Sequence, residues 1–164
     1  MAWTRRFHFR LRDFEKRTET VLNAWDRGSD RTTTTSGGTV NWTLEVVTLP
    51  VTDVDRTKAF YESIGFNPDH DHTVSEEIRF VQMTPPGSNC SIAFGKGITD
   101  RAPGTTGPLI ICVTDINVAR DQLLAAGVDP GEVDVQPWGH FVYFTDPDGN
   151  QWSAQYLPYR SNAD

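Results

Sequence analysis

The chain has 164 residues, of which 37% are hydrophobic and 23% charged, with a formal net charge of −7. That is enough chain for one domain with a real core. No apolar run nears the roughly 20 residues that a bilayer-spanning helix needs, and Arg5, Arg6, Arg10 and Arg12 break up any signal-peptide core. The charge is uneven: residues 1–40 carry eight basic and five acidic side chains, the remainder seven and seventeen. An acidic body repels phosphate backbones and argues against a nucleic-acid partner.

In chain order, residues 1–40 read as an N-terminal extension and linker, expected to be flexible. Residues 15–25 suit a short helix with Val21, Leu22 and Trp25 on one side, and residues 27–39 have the Gly, Ser, Thr and Arg content of a linker. The natural start is expected near Val40. Residues 41–164 form the folded part, and they say the same thing twice. Val51-Thr52-Asp53-Val54 recurs as Val113-Thr114-Asp115-Ile116, 62 positions later. Each copy follows an apolar run, precedes a helix-like stretch (residues 55–64 and 117–126), and stops at a glycine, Gly65 or Gly127. A repeat of this length means two copies of one supersecondary unit that bury their apolar faces together.

In the first unit, a β-branched strand over residues 43–51 leads to Asp53, a good helix N-cap, and the helix presents Val54, Ala59, Phe60 and Ile64. Three strands follow, at residues 66–72, 77–84 and 90–94. The second unit repeats the order: a strand at 109–113, Asp115 as cap, a helix with Ile116, Ala119, Leu123 and Leu124, then strands near 133–137, 140–145 and 151–157. Asp146-Pro147-Asp148-Gly149-Asn150 makes the last hairpin, with Gly149 supplying the positive φ of a tight reversal. Each unit therefore reads βαβββ, over about residues 42–95 and 108–158. Cys90 and Cys112 fall within apolar runs and read as small buried thiols, which suits a reducing cytoplasm.

These two units, with Ala59-Phe60-Tyr61 and Gly65-Phe66 in the first and Phe144-x-Asp146-Pro147-Asp148-Gly149-Asn150 in the second, resemble the vicinal oxygen chelate superfamily. Its members include glyoxalase I, extradiol dioxygenases, fosfomycin-resistance enzymes and bleomycin-binding proteins. The resemblance implies an α+β fold in which the two repeats form a curved, mostly antiparallel sheet cup with helices outside, commonly as a homodimer. In the metal-dependent relatives, His, Gln or Glu side chains from the first and last strand of each unit hold a divalent ion in the cup. The positions that match are Val46, Ala93, Pro108 or Leu109, and Ser153. Side chains of this kind do not make a divalent site, so no metal and no cofactor are expected.

Four histidines remain. His8 lies in the extension. His70 and His72 share a strand face; an exposed hairpin edge is the simpler reading, and with Glu45 they make the alternative ligand set for Zn, Ni, Mn or Fe. His140, beside Trp138-Gly139, is either an acid/base or ligand contact or a histidine that orders a turn. Alternation puts Phe141 and Tyr143 on one strand face and His140, Val142 and Phe144 on the other. The expected ligand walls are Val46, Thr48, Phe94, Trp138, Phe141, Tyr143 and Ser153, with His140 and Gln155 as polar contacts. The leading expectation is a metal-independent binder of a small hydrophobic or aromatic molecule, like the bleomycin-resistance branch. The alternative is a metal-dependent lyase, isomerase or dioxygenase. No P-loop, dinucleotide fingerprint, Cys-x-x-Cys or nucleophile elbow is present.

Overall fold

The strands and helices form where the alternation and the caps place them. In the computed structural model, which describes residues 42–159, the first unit holds β1 (Val46–Thr48), α1 (Val54–Ser63), β2 (Asn67–Thr73), β3 (Arg79–Thr84) and β4 (Ser91–Lys96). The second holds β5 (Leu109–Cys112), α2 (Ile116–Ala125), β6 (Asp134–Gln136), β7 (Gly139–Thr145) and β8 (Gln151–Tyr156). The expected extension, helix and linker of residues 1–40 lie outside the described residues. The fold is α+β, with two four-stranded sheets of equivalent order, β1-β4-β3-β2 and β5-β8-β7-β6. The first strand of each unit pairs in parallel with the last, and the other pairings are antiparallel. β1 is shorter than the expected strand, only three residues.

The repeat extends to the helix ends. Asp53 accepts from the backbone N–H of Arg56, and Asp115 from those of Asn117 and Val118. Such caps satisfy donors that a helix start leaves open. At the other end, the Gly65 and Phe66 N–H groups bond to the carbonyls of Glu62 and Tyr61, and Gly127 and Val128 repeat this with Leu124 and Leu123. Both glycines have positive φ, the conformation that this helix stop requires.

Packing departs from the expected helix faces in two places. Thr57, Tyr61 and Ile64 are the buried residues of the first helical stretch, while Ala59 is exposed. On α2, Ile116 and Leu123 are buried and Leu124 is exposed. The face of α1 is chosen by Tyr61, whose ring meets Phe66, Phe94 and Trp152 with centroids 5.2, 5.9 and 5.9 Å away. Trp152 belongs to the second unit, so one core joins the helix-side faces of both sheets. Among the described residues each sheet has its other, open face uncovered by any helix, and no strand of one sheet pairs with a strand of the other.

The last hairpin does more than reverse the chain. The Tyr61 hydroxyl donates to Asp146 at 2.9 Å and accepts from the Trp152 indole N–H at 3.0 Å. The Asp148 carboxylate receives the Thr52 backbone N–H and hydroxyl, the Arg56 guanidinium and the Thr57 hydroxyl. Fully buried Asn150 donates to Asp146 and to the Pro50 carbonyl and accepts from the Thr106 N–H. A turn in the second unit thus satisfies polar groups at the start of the helix in the first. Buried networks of this kind fix a unique arrangement because each lost partner is costly.

Candidate functional site

Strand register decides which side chains reach the open faces. On the first sheet, Val81, Met83, Ile92 and Phe94 point to the helix side and are buried. Alternation then turns Val46, Thr48, Phe80, Gln82, Thr84, Ser91 and Ala93 to the open face. Phe94 was expected as a ligand wall and is corrected: it is fully buried in the core against Tyr61. It follows Ala93, and neighbours on a strand face opposite ways, so both cannot line one surface. Val46 and Thr48 stand together on the open face, beside Ser91 and Ala93.

On the second sheet, Phe141 pairs with Gln155 and Tyr143 with Ser153 across β7 and β8. These four share the open face, and the rings of Phe141 and Tyr143 lie nearly parallel, 7° apart with centroids 6.3 Å from each other. His140 lies on the opposite face with Val142 and Phe144, edge-on to Tyr156 at 5.7 Å. Its expected place as a polar contact beside Phe141 and Tyr143 is therefore corrected by the same alternation. Trp138 occupies the turn between β6 and β7 and is 64% exposed. Tyr143 donates to Asp134 at 3.3 Å, and its phenol is held above the ordinary value, first by desolvation and then by that carboxylate. It stays protonated at neutral pH and remains a hydrogen-bond donor.

The positions that carry metal ligands in relatives do not suit a cation here. Val46 and Ala93 offer no donor atom. In the second unit the open-face residue of β5 is Ile110, paired with Ser153, rather than Pro108 or Leu109; Leu109 pairs with buried Trp152. His70 and His72 do share a face, with rings 5.7 Å apart and 28° from parallel. Glu45 precedes β1, at the opposite edge of the sheet and about 14 Å away at ordinary strand spacing. Among the described residues no three His, Cys, Asp or Glu side chains are grouped to hold a metal. Neither cysteine forms a disulfide; Cys90 is half-buried, while Cys112 is exposed on the open face, against the expectation of a buried thiol. Burial first, and Glu45 second, push the Cys90 thiol up.

The expected site residues thus fall into two groups on two separate faces: Val46 and Thr48 on one, Phe141, Tyr143, Ser153 and Gln155 on the other. Within one chain, a cavity of about 260 Å³ lies elsewhere, between the units, lined by Ile64, Phe66, Ile111, Leu123, Phe144 and Ala154 among others. None of the expected ligand contacts lines it. Gln82 also read as a polar contact from the first unit; what sequence reasoning missed is the row that Thr84 and Ser91 make with it on the first sheet. The same alternation that reveals Phe141 and Tyr143 was the signal for it.

The family model for the Glyoxalase/Bleomycin resistance protein/Dioxygenase superfamily matches residues 43–154. The chain belongs to that superfamily. Among solved structures, it is similar to TnmS3, an antibiotic binding protein from Streptomyces sp. CB03234, with 26% identity and a TM-score of 0.66, covering 73% of this chain and 99% of that one. A glyoxalase/bleomycin resistance protein of the same Streptomyces strain matches at 27% identity and a TM-score of 0.62, over 69% and 99% of the two chains. A superfamily member from Sphaerobacter thermophilus DSM 20745 matches at 28% identity and 0.63, over 71% and 98%. Among curated proteins, the uncharacterized protein YetH of Bacillus subtilis (strain 168) is 27% identical over 110 residues, 65% of this chain and 92% of that protein. The family carries the fold; function has to be read from the open faces.

Proposed function

We propose that this superfamily member is a metal-independent binder of a small aromatic or amphipathic molecule, held on the open sheet faces in a homodimer. The observation that carries the reading is the parallel pair Phe141 and Tyr143, with Ser153 and Gln155 beside it. Flat rings with a few hydrogen-bonding groups at hand are what a small-molecule surface needs. The likeness to an antibiotic binding protein at 26% identity supports the same class. The metal-free part rests on donor chemistry, since Val46, Ala93 and Ile110 supply no ligand atoms.

Dimerisation enters because a single open sheet encloses nothing. β1 and β5 are edge strands of their sheets, and exposed apolar residues lie on or beside them: Trp42 is 92% exposed, Leu44 66% and Ile110 61%. An unpaired edge with an apolar border is a template for another strand. Pairing β1 of one copy beside β5 of the other brings the first sheet of one chain against the second sheet of its partner, and a two-fold axis makes two such cups. The test is a thermal-shift and native mass spectrometry screen of aromatic compounds, with elemental analysis of protein purified without chelator. Binding raises apparent stability. Hits that lose their shift in Tyr143→Ala support the reading; stoichiometric Zn, Ni, Mn or Fe refutes its metal-free part.

A further inference from the structure

The two open faces differ in chemistry. On the second sheet, Phe141, Tyr143 and Ile110 make an aromatic and apolar surface. On the first, a chain of hydrogen bonds crosses the sheet. The Gln82 amide N–H donates to the Ser91 hydroxyl at 3.2 Å, the Ser91 and Thr84 hydroxyls lie 2.7 Å apart, and the Thr84 hydroxyl donates to the Asp69 carboxylate. Gln82 and Ser91 are buried at 7% and 6% exposure, although they belong to the face that the helix does not cover. The amide oxygen of Gln82 takes no hydrogen bond from the described residues. Beside Gln82 across the strands stand Ala93 on one side and His70 on the other. Ala93 brings only a methyl group to this polar row and is itself buried, at 2% exposure.

We infer that the bound compound is a flat aromatic molecule with hydroxyl or similar donor groups along one edge, its rings lying on Phe141 and Tyr143 and its polar edge read by Gln82, Thr84 and Asp69. This rests on the binding reading above and adds the chemistry of the ligand. The second face supplies stacking area but few hydrogen bonds. The first supplies the Gln82 carbonyl and the Asp69 carboxylate as acceptors, with Ser91 and Thr84 fixing their orientation. A carboxylate and an amide oxygen favour a ligand that brings donors. A site built to hydrogen-bond a hydroxyl rejects an analogue without it, because its own polar groups then lose water unpaired.

Titration calorimetry with a naphthalenediol, its dimethoxy ether and naphthalene separates the parts. The expected result for the whole dimer is the diol binding about tenfold or more tightly than the other two, as one well-made hydrogen bond would give. In Gln82→Leu, and independently in the near-isosteric Thr84→Val, the diol's advantage falls to about threefold or less, while His140→Ala keeps it. Tyr143→Ala weakens all three probes alike. Equal affinity for diol, ether and naphthalene overturns the inference and leaves the binding reading standing, as does an advantage that survives in both polar variants with native melting curves. Failure of the wild-type protein to bind any of the three overturns this inference, and the absence of any hit in the wider screen of aromatic compounds counts against the binding reading as well.

Discussion

Tyr61 is the residue on which both units depend. Its ring fills the shared core, and its hydroxyl donates to Asp146 and accepts from Trp152. Burial first, and the Asp146 carboxylate second, push its phenol far above the ordinary value, so it remains a donor at every accessible pH. Tyr61→Phe keeps the ring but leaves the Trp152 N–H unpaired and takes one donor from Asp146. The expected loss is about 1–3 kcal/mol, the cost of stranding a buried polar group. Urea denaturation measures it; an unchanged midpoint would mean that water replaces the hydroxyl. Tyr143 is the contrasting case. It is half exposed, and Tyr143→Ala leaves the melting temperature near the wild-type value while weakening ligand binding by about 1–3 kcal/mol, the range for an aromatic contact at a binding surface.

Between elements, the first unit is tied by Asp71, which pairs with Arg79 at 2.9 Å and Lys58 at 2.8 Å, while Arg79 also reaches Asp55. Hydrogen bonds from Arg79 first and Lys58 second hold the Asp71 carboxyl well below the usual carboxylate range. A depressed folded value means that the tie stabilises above the unfolded value of about 4 and is lost as pH falls below it. These side chains are about a quarter exposed, so solvent and salt screen the pairs. Asp71→Asn therefore costs only a fraction of what Tyr61→Phe costs at neutral pH, and the gap between variant and wild type closes with added salt and with acid below about pH 4. Melting curves across pH and salt check this; a gap that widens in acid would contradict it. Element order, caps and the separate faces of β7 were legible in the sequence because they follow from spacing of two and of about 3.6 residues. Phe94 and His140 were misplaced where chemical appeal overrode that alternation. The role of Asp146 to Asn150 was not legible: its partners Tyr61 and Pro50 lie 85 and 100 residues away from Asp146 and Asn150, and nothing local announces them.

For the whole molecule, the shared core and the open faces have a joint consequence. Among the described residues the helix-side faces are used up in joining the two units of one chain, and in the proposed dimer the faces that hold the candidate ligand contacts meet a complementary face on the partner. β1 and β5 have three and four residues, too few strand hydrogen bonds to hold a dimer alone, so in the proposed dimer the exposed apolar side chains beside them supply most of the association. The expected solution mass is twice the 18.4 kDa of one chain. Trp42→Asp and Leu44→Asp each put a carboxylate into the apolar border without touching the core or the candidate ligand contacts, and either variant is expected to sediment as a folded monomer. If the cup is built between copies, both variants lose ligand binding together with dimerisation, although neither Phe141 nor Tyr143 is changed. Analytical ultracentrifugation and calorimetry on the same samples decide the matter: a monomeric variant that still binds with wild-type affinity would show that one chain's face suffices and that the dimer serves another purpose.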